Sequence, residues 1–406
     1  MRILLINEYY PPDTSATAHM AEVVVRTLAA RHEVTVLAGR PSYDPDERYP
    51  WKLLRRDKKE NVTVERVGST TYPRFRMRRR VTNYLTYLAL AVPRALFIRA
   101  DLVLAMTDPP IAGIAGAFVA MLKRRPFVYN IRDLYPDMAV GGEIVRPSRW
   151  VRLWERMHRW ALRRAARVIV LGADMRDRIV AKGVDPERVV IVRDGAPIPT
   201  SLGSAEHPSV RDIRDGFSFV ALHAGNLGFY GAWDSMVEAA RRVAGDGIGL
   251  VFVGDGAHRD RLMERVVGRD SIRFLPFRPA SDVPHVLAAA DVHVVTVKRG
   301  LEGVVVPSKL YPVLAAGRPV LAITPEESDV ARIVRRAGCG LVADPDDPQA
   351  VADALVEMKR DPERLAEMGR RAREISLQYE RSTQLQLFAQ IFDDLGRFAA
   401  SRNGTK

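Results

Sequence analysis

Between Ala289 and Gly317 the chain reads A-A-D-V-H-V-V-T-V-K-R-G-L-E-G-V-V-V-P-S-K-L-Y-P-V-L-A-A-G, and after its strand-like run it brings together an acid, Glu302, a lysine, Lys309, and the start of a helix. Val292 to Val297 is β-branched and apolar, as a buried parallel strand requires. Pro307 and Ser308, ahead of Lys309-Leu310-Tyr311, open a helix with a small hydroxyl at its N-cap. Amides left over at such an end attract phosphate, and a lysine beside them adds a point charge. Strand, loop and helix start in this order have the layout of an anion site. Lys298 and Arg299 beside Gly300 read either as further charges for that anion or as a solvated loop.

Other strand ends carry residues of the right kind. Phe219 to Ala240 sets Gly225, Asn226, Gly228 and Gly231 between a strand and a helix, where backbone amides can approach a diphosphate, although a simple turn uses glycines as often. Val253-Gly254-Asp255-Gly256 and Leu275-Pro276-Phe277-Arg278 are turns of the same sort, by themselves equally compatible with plain connections. In the first half, F-V-Y-N-I-R-D-L-Y-P-D runs from Phe127 to Asp137 as a strand entering an acidic, proline-stopped turn. Arg132 stays charged at any useful pH, so it can hold an anion but cannot accept a proton, a task left to Asp133 or Asp137. The plainer reading is an arginine–aspartate pair that fixes the turn. Ser15, in the loop Tyr9-Tyr10-Pro11-Pro12-Asp13-Thr14-Ser15, is small enough for close approach of a ligand and equally suited to cap the helix behind it.

These turns need rigid strands behind them. Strand-like runs at Ile3–Ile6, Glu33–Leu37, Thr63–Val67, Leu102–Met106, Phe127–Ile131 and Val168–Leu171 alternate with helical ones, beginning with a helix from about Ala18 to Arg31. A second series holds Phe219–His223, Gly249–Val253, Ile272–Phe274, Val292–Val297, Pro319–Ala322 and Gly340–Ala343. Such alternation predicts an α/β chain of two Rossmann-like, doubly wound domains, with ligands beyond the carboxyl ends of the strands. Proline and glycine between Asp194 and Asp215 suit a linker, which divides the chain into residues 1–196 and 217–380. The segment from about Pro348 to Phe398 is amphipathic and helical.

At 406 residues two domains are the natural prior, and the net charge of +13 calls for an acidic partner: a phosphorylated substrate, an anionic membrane or nucleic acid. Arg74, Arg76, Arg78, Arg79 and Arg80, interleaved with Phe75 and Met77 ahead of the apolar run Val81–Ile98, favour an anionic membrane surface. No nucleic-acid motif accompanies them, so no nucleic-acid partner is expected. Thr82, Asn83, Thr86 and Pro93-Arg94 interrupt the apolar run, which argues against a spanning helix. The opening residues Met1 to Ile6 stop at Asn7-Glu8, short of a signal peptide, and the single Cys339 excludes an intramolecular disulfide; a cytoplasmic protein, peripheral at most at the inner membrane face, is expected.

The order acid, small apolar residues, proline, helix and Ala-Ala-Gly in Glu302–Gly317 resembles the donor segment of the retaining family-four glycosyltransferases, which pair two Rossmann-like domains in the GT-B arrangement. The Ser308-Lys309-Leu310-Tyr311 wording is similar to a subgroup that builds bacterial surface polysaccharides. The resemblance implies transfer from a nucleotide diphosphate sugar to a hydroxyl of a glycan or lipid-linked acceptor, with retention, with no required cofactor or metal, and with a terminal helix, here 381–406, crossing back to the first domain. It implies Glu302 on the sugar hydroxyls, and Ser15, Gly225, Asn226, Gly254, Asp255, Phe277, Arg278, Pro307, Ser308 and Lys309 around the nucleotide. The chain departs from the family at three places. Asn226 and Phe229 or Tyr230 stand where relatives carry a loop Arg and Lys, Leu310 or Pro312 where they carry a second glutamate, and Arg132-Asp133 where many have His-Asp. Two alternatives share such a cleft: a nucleotide-sugar epimerase or hydrolase of the same fold, and a catalytically weakened nucleotide-sugar-binding subunit.

Overall fold

The computed structural model describes residues 1–42, 49–73, 77–199, 202–268 and 270–403. The first sheet is built from β1 (Arg2–Ile6), β2 (Glu33–Ala38), β3 (Leu54–Lys59), β4 (Val62–Val67), β5 (Leu102–Ala105), β6 (Phe127–Asn130), β7 (Arg167–Val170) and β8 (Val189–Ile191) in the order β3-β4-β2-β1-β5-β6-β7-β8. The second holds β9 (Phe219–Ala224), β10 (Ile248–Val253), β11 (Ile272–Leu275), β12 (Val292–Thr296), β13 (Val320–Ile323) and β14 (Gly340–Ala343) in the order β11-β10-β9-β12-β13-β14. Among the described strands only β3 runs antiparallel to its neighbour. The two doubly wound sheets are the architecture that the alternation predicts. In each, strand order reverses beside the first strand, so the loops after β1 and β5, and after β9 and β12, flank the two switch points where such sheets bind ligands.

Central strands form because their residues are apolar on both faces: β1, β5, β6 and β13 are almost wholly buried under helices. β3, absent from the sequence expectation, is its opposite, an edge strand of L-R-R-D-K-K with every residue exposed. The stretch between Asp194 and Asp215 is not linker throughout, since Pro208–Arg214 folds as a helix with proline in its first turn. The helical C-terminal stretch is three helices, Pro348–Arg360, Pro362–Ser376 and Arg381–Asn403. The last returns to the first sheet, where Phe388, Ile391 and Phe392 pack with Val24 and Leu28 and Asp393 pairs with Arg31 at 2.5 Å. Cys339 is fully buried in the second domain.

The domains interlock after β12. Val297, Leu301, Val304 and Val305 belong to the same apolar cluster as Leu4, Ile6 and Ile131 of the first domain. Gly303 makes this possible: its φ is +67°, and a Cβ there would lie 2.6 Å from the Asp174 backbone. Elsewhere the domains are joined by Arg193 on Asp329 at 2.9 Å, while the Asp174 carboxylate accepts the Asp329 amide at 2.9 Å.

Candidate active site

The loops after β9, β10 and β11 are stitched into one surface. The Gly225 amide donates to the Val253 carbonyl at 2.8 Å and the Gly254 amide to that of Leu275 at 3.1 Å. A Cβ on Gly254, whose φ is +142°, would sit 2.2 Å from the Gly225 carbonyl oxygen, so only glycine permits this approach. Asp255 accepts the Gly256 amide at 2.7 Å. Asn226 is exposed on the surface so formed. Phe277, 74% exposed, stands beyond β11, and the neighbouring Arg278 is committed to Asp212 at 2.6 Å.

Lys309 reaches this surface from the second switch-point loop. The helix there is Leu310–Ala315, and its cap is Lys309 with no side-chain capping bond, so Ser308 does not fill the N-cap place expected of it. Pro307 and Ser308 instead accept turn bonds from the Leu310 and Tyr311 amides, both at 3.2 Å. The Lys309 Nζ lies 2.7 Å from His223 Nε2, 5.7 Å from the Tyr230 ring centre, and 3.3 Å from where a Cβ on Gly225 would be. Burial pushes Lys309 down to about 7, and burial together with that lysine holds the imidazole of His223 neutral, well below its ordinary range. Two nitrogens so close share one proton: an ammonium donating to a neutral ring, or a ring N–H donating to a neutral amine. Lys298 and Arg299 add nothing here, because Lys298 faces Glu143 at 3.4 Å and Arg299 grips Asp344 and Asp346.

Glu302 faces the first domain. One oxygen accepts from Arg178 at 2.8 Å and the other from the Gly300 amide at 2.7 Å, while Arg178 also holds the Glu302 carbonyl. Across the seam Asp133 pairs antiparallel with Val305, and the Leu134 amide donates to the Val304 carbonyl at 2.9 Å. The acidic turn is therefore bound to the very loop that presents Lys309 four residues later. Burial and the Asp108 carboxylate push the Asp133 carboxyl up to about 6, against the pull of Arg132 and Arg80. Among the described residues no group of three His, Cys, Asp or Glu side chains is placed to hold a metal ion.

Other sequence candidates sit at the margin. Asp137 is bound to Lys182 at 2.8 Å, a lysine that Glu155 also holds, and Ser15 caps the helix Ala16–Ala29 by accepting the Ala18 amide at 3.0 Å. Arg132 donates both terminal nitrogens to Asp194, at 2.5 and 2.6 Å. Because the Asp194 side chain is only 7% exposed, Arg132→Ala is expected to lower unfolding free energy by about 3–5 kcal/mol in a denaturant titration. A loss below about 1 kcal/mol, the range of a surface pair, would show that this pair does not hold the turn. Arg74 and Arg76 lie outside the described residues. Arg78 and Arg79 are exposed, whereas Arg80 turns inward to the Tyr84 hydroxyl and so leaves the exposed arginine cluster. His223, Arg178 and Asp108 were not anticipated, and Tyr230 and Arg80 were singled out for other reasons; of the three, only His223, a polar residue inside the apolar run F-V-A-L-H-A, carries a local signal.

Two domain models match the sequence, a glycosyl transferase 4-like domain over residues 16–195 and glycosyl transferases group 1 over residues 218–361. WbjE of Pseudomonas aeruginosa, named as a glycosyltransferase, is 27% identical over 269 residues, which span 64% of this chain and 66% of WbjE, just under two thirds of that relative. WcaI of Escherichia coli K12, named as a colanic acid biosynthesis glycosyl transferase, is 24% identical over 337 residues, covering 78% of this chain and 82% of WcaI. The crystal structure of Anabaena HepE in complex with UDP-glucose matches with a TM-score of 0.68 at 19% identity over 97% of this chain and 100% of that one, a likeness of fold.

Proposed function

We infer, from the glycosyl transferase 4-like match over residues 16–195 and the glycosyl transferases group 1 match over residues 218–361, that the chain is a glycosyltransferase of GT-B fold that moves a sugar, with retention, from a nucleotide diphosphate donor to a hydroxyl of a glycan or lipid-linked acceptor. The observation that carries this reading is the meeting of Lys309, the Gly225 loop and the Asp133 turn at one seam. The UDP-glucose bound by HepE supports the donor class, and the naming of WcaI supports a place in surface polysaccharide assembly. We assign the reaction to the cytoplasm, with the acceptor at the inner membrane face.

In this reading the diphosphate lies over the Gly225–Asn226 backbone with its charge met by Lys309. Phe277 and the backbone at Arg278 border the base, and Gly254 and Asp255 close the far side. Glu302, oriented by Arg178 and the Gly300 amide, accepts from the sugar hydroxyls. Leaving-group charge grows on the diphosphate in the transition state, so a fixed cation beside it lowers the barrier. Asp133 takes the proton of the acceptor hydroxyl as it attacks.

A panel of uridine, guanosine and thymidine diphosphate sugars, each incubated with and without a membrane glycolipid extract, tests this. Release of nucleoside diphosphate that requires the extract is expected. Free or epimerised sugar from donor alone would indicate the hydrolase or epimerase chemistry, and donor binding without turnover in either arm a binding subunit.

A further inference from the structure

Three helices, Met77–Phe97, Ala112–Lys123 and Arg149–Arg164, lie side by side on the Leu4–Ile6 face of the first sheet, where they bury Tyr87, Ala91, Ala117, Ala161 and Leu162. A surface helix normally turns a polar face outward. These do not. On Arg149–Arg164 an outer stripe of Trp150, Leu153 and Met157 is 67%, 44% and 44% exposed at helical spacing. Phe118 and Leu122 continue the apolar surface on the middle helix, Leu85 and Leu96 on the first. Between the helices runs a groove of about 780 Å³ lined by Leu88, Val92, Ile114, Phe118, Trp154 and Trp160 among others.

The charge beside this surface has one sign. Arg149, Arg152 and Arg156 form a second stripe with the same spacing, one position before each residue of the apolar stripe. Lys123, Arg124 and Arg125 close the middle helix. The three helices contain a single carboxylate, Glu155, and it is bonded to Arg159 at 2.6 Å and to Lys182 at 2.9 Å. Apolar side chains that reach the acyl boundary, flanked by guanidinium groups at phosphate depth, are what an anionic bilayer selects. Insertion is shallow, since no helix among the described residues is long and apolar enough to cross a membrane. Continuity with the site gives the face a purpose: Trp154, on the groove wall, stacks on Tyr135 with ring centres 5.9 Å apart, and Tyr135 is two residues from Asp133.

We propose that the Trp150–Leu153–Met157 stripe and its companion arginines seat the enzyme on an anionic lipid bilayer, so that the Asp133 turn opens at the membrane surface. The arginine run before Val81 is thereby replaced as the principal contact. The clause about Asp133 rests on the proposed function; the seating itself does not.

The test is co-sedimentation of the full chain with vesicles of phosphatidylcholine, alone or mixed with phosphatidylglycerol, with circular dichroism confirming the fold of each variant. Binding to the anionic vesicles is expected to be at least about tenfold tighter and to weaken with salt, and Leu153→Glu with Met157→Glu is expected to lose about tenfold or more. Brominated acyl chains should quench tryptophan emission of the parent and quench Trp150→Phe much less, a readout that needs no disruptive substitution. Unchanged sedimentation of the double variant, no sedimentation of the parent with either vesicle, or equal quenching in Trp150→Phe would each overturn the proposal. Uridine and guanosine diphosphate titrations of the same samples report separately on the donor reading, which stands or falls without changing the lipid result.

Discussion

Replacing Lys309 by methionine is expected to weaken nucleoside diphosphate binding by about 1.5–3 kcal/mol, on the order of tenfold to a hundredfold, and to abolish a pH dependence that the parent protein shows. The sign follows from the burial of the amine. Lys309 titrates at about 7 without a ligand, so below that pH it is already an ammonium, and above it the site holds a neutral amine beside a neutral His223. An anionic diphosphate raises the lysine pKa, so binding above pH 7 must draw a proton from solvent. Affinity therefore falls as pH rises from 7, by up to about tenfold per unit, until the pKa of the bound state is reached. Calorimetry at pH 8 in buffers of different ionisation enthalpy should detect proton uptake by the parent and none by Lys309→Met. Identical proton counts and affinities for the two proteins would remove the lysine from the anion site.

Asp133→Asn is expected to cut turnover by about 10²–10⁴ while leaving donor affinity near its parent value, because the proposed function makes Asp133 the general base and puts the diphosphate contacts in the other domain. The base works as the carboxylate, so kcat/KM of the parent should fall as pH drops below about 6. The stability sign runs the other way: a carboxyl raised above its unfolded value makes the ionised form unfavourable in the folded chain at neutral pH. Asp133→Asn should thus melt no lower than the parent at pH 8. Asp137→Asn should do the reverse, keeping turnover and melting lower, since it takes a partner from Lys182, which is buried. If Asp137→Asn is the inactive variant and Asp133→Asn the active one, the two acids exchange roles.

The legible parts of the chain were those whose physics is local. A parallel strand covered on both faces must be a continuous apolar run, which is why β12 and its neighbours show in the sequence, whereas β3 lies on a solvated edge that asks for no pattern. Lys309 was legible as a cation placed after a strand and before a helix. Its relation to His223 needed the fold, which brings residues 86 positions apart to 2.7 Å. The same distance problem hid Asp194 from Arg132 and Arg178 from Glu302, 62 and 124 positions away. Arg80 looked like its neighbours in the arginine run because composition does not say which side of a helix faces in; Tyr84, one turn later, decides it.

The plug after β12 also bears on how such enzymes can be recombined. Residues 297–305 are inherited with the second half of the chain, yet Val297, Leu301, Val304 and Val305 complete the first half's interior, and a side chain in place of Gly303 would collide with the Asp174 backbone it meets here. A chimera joined at the linker would receive a foreign plug in a native socket. Exchanging specificities by swapping halves therefore requires that the plug travel with the first domain, so the functional seam of this molecule does not coincide with the seam in its sequence.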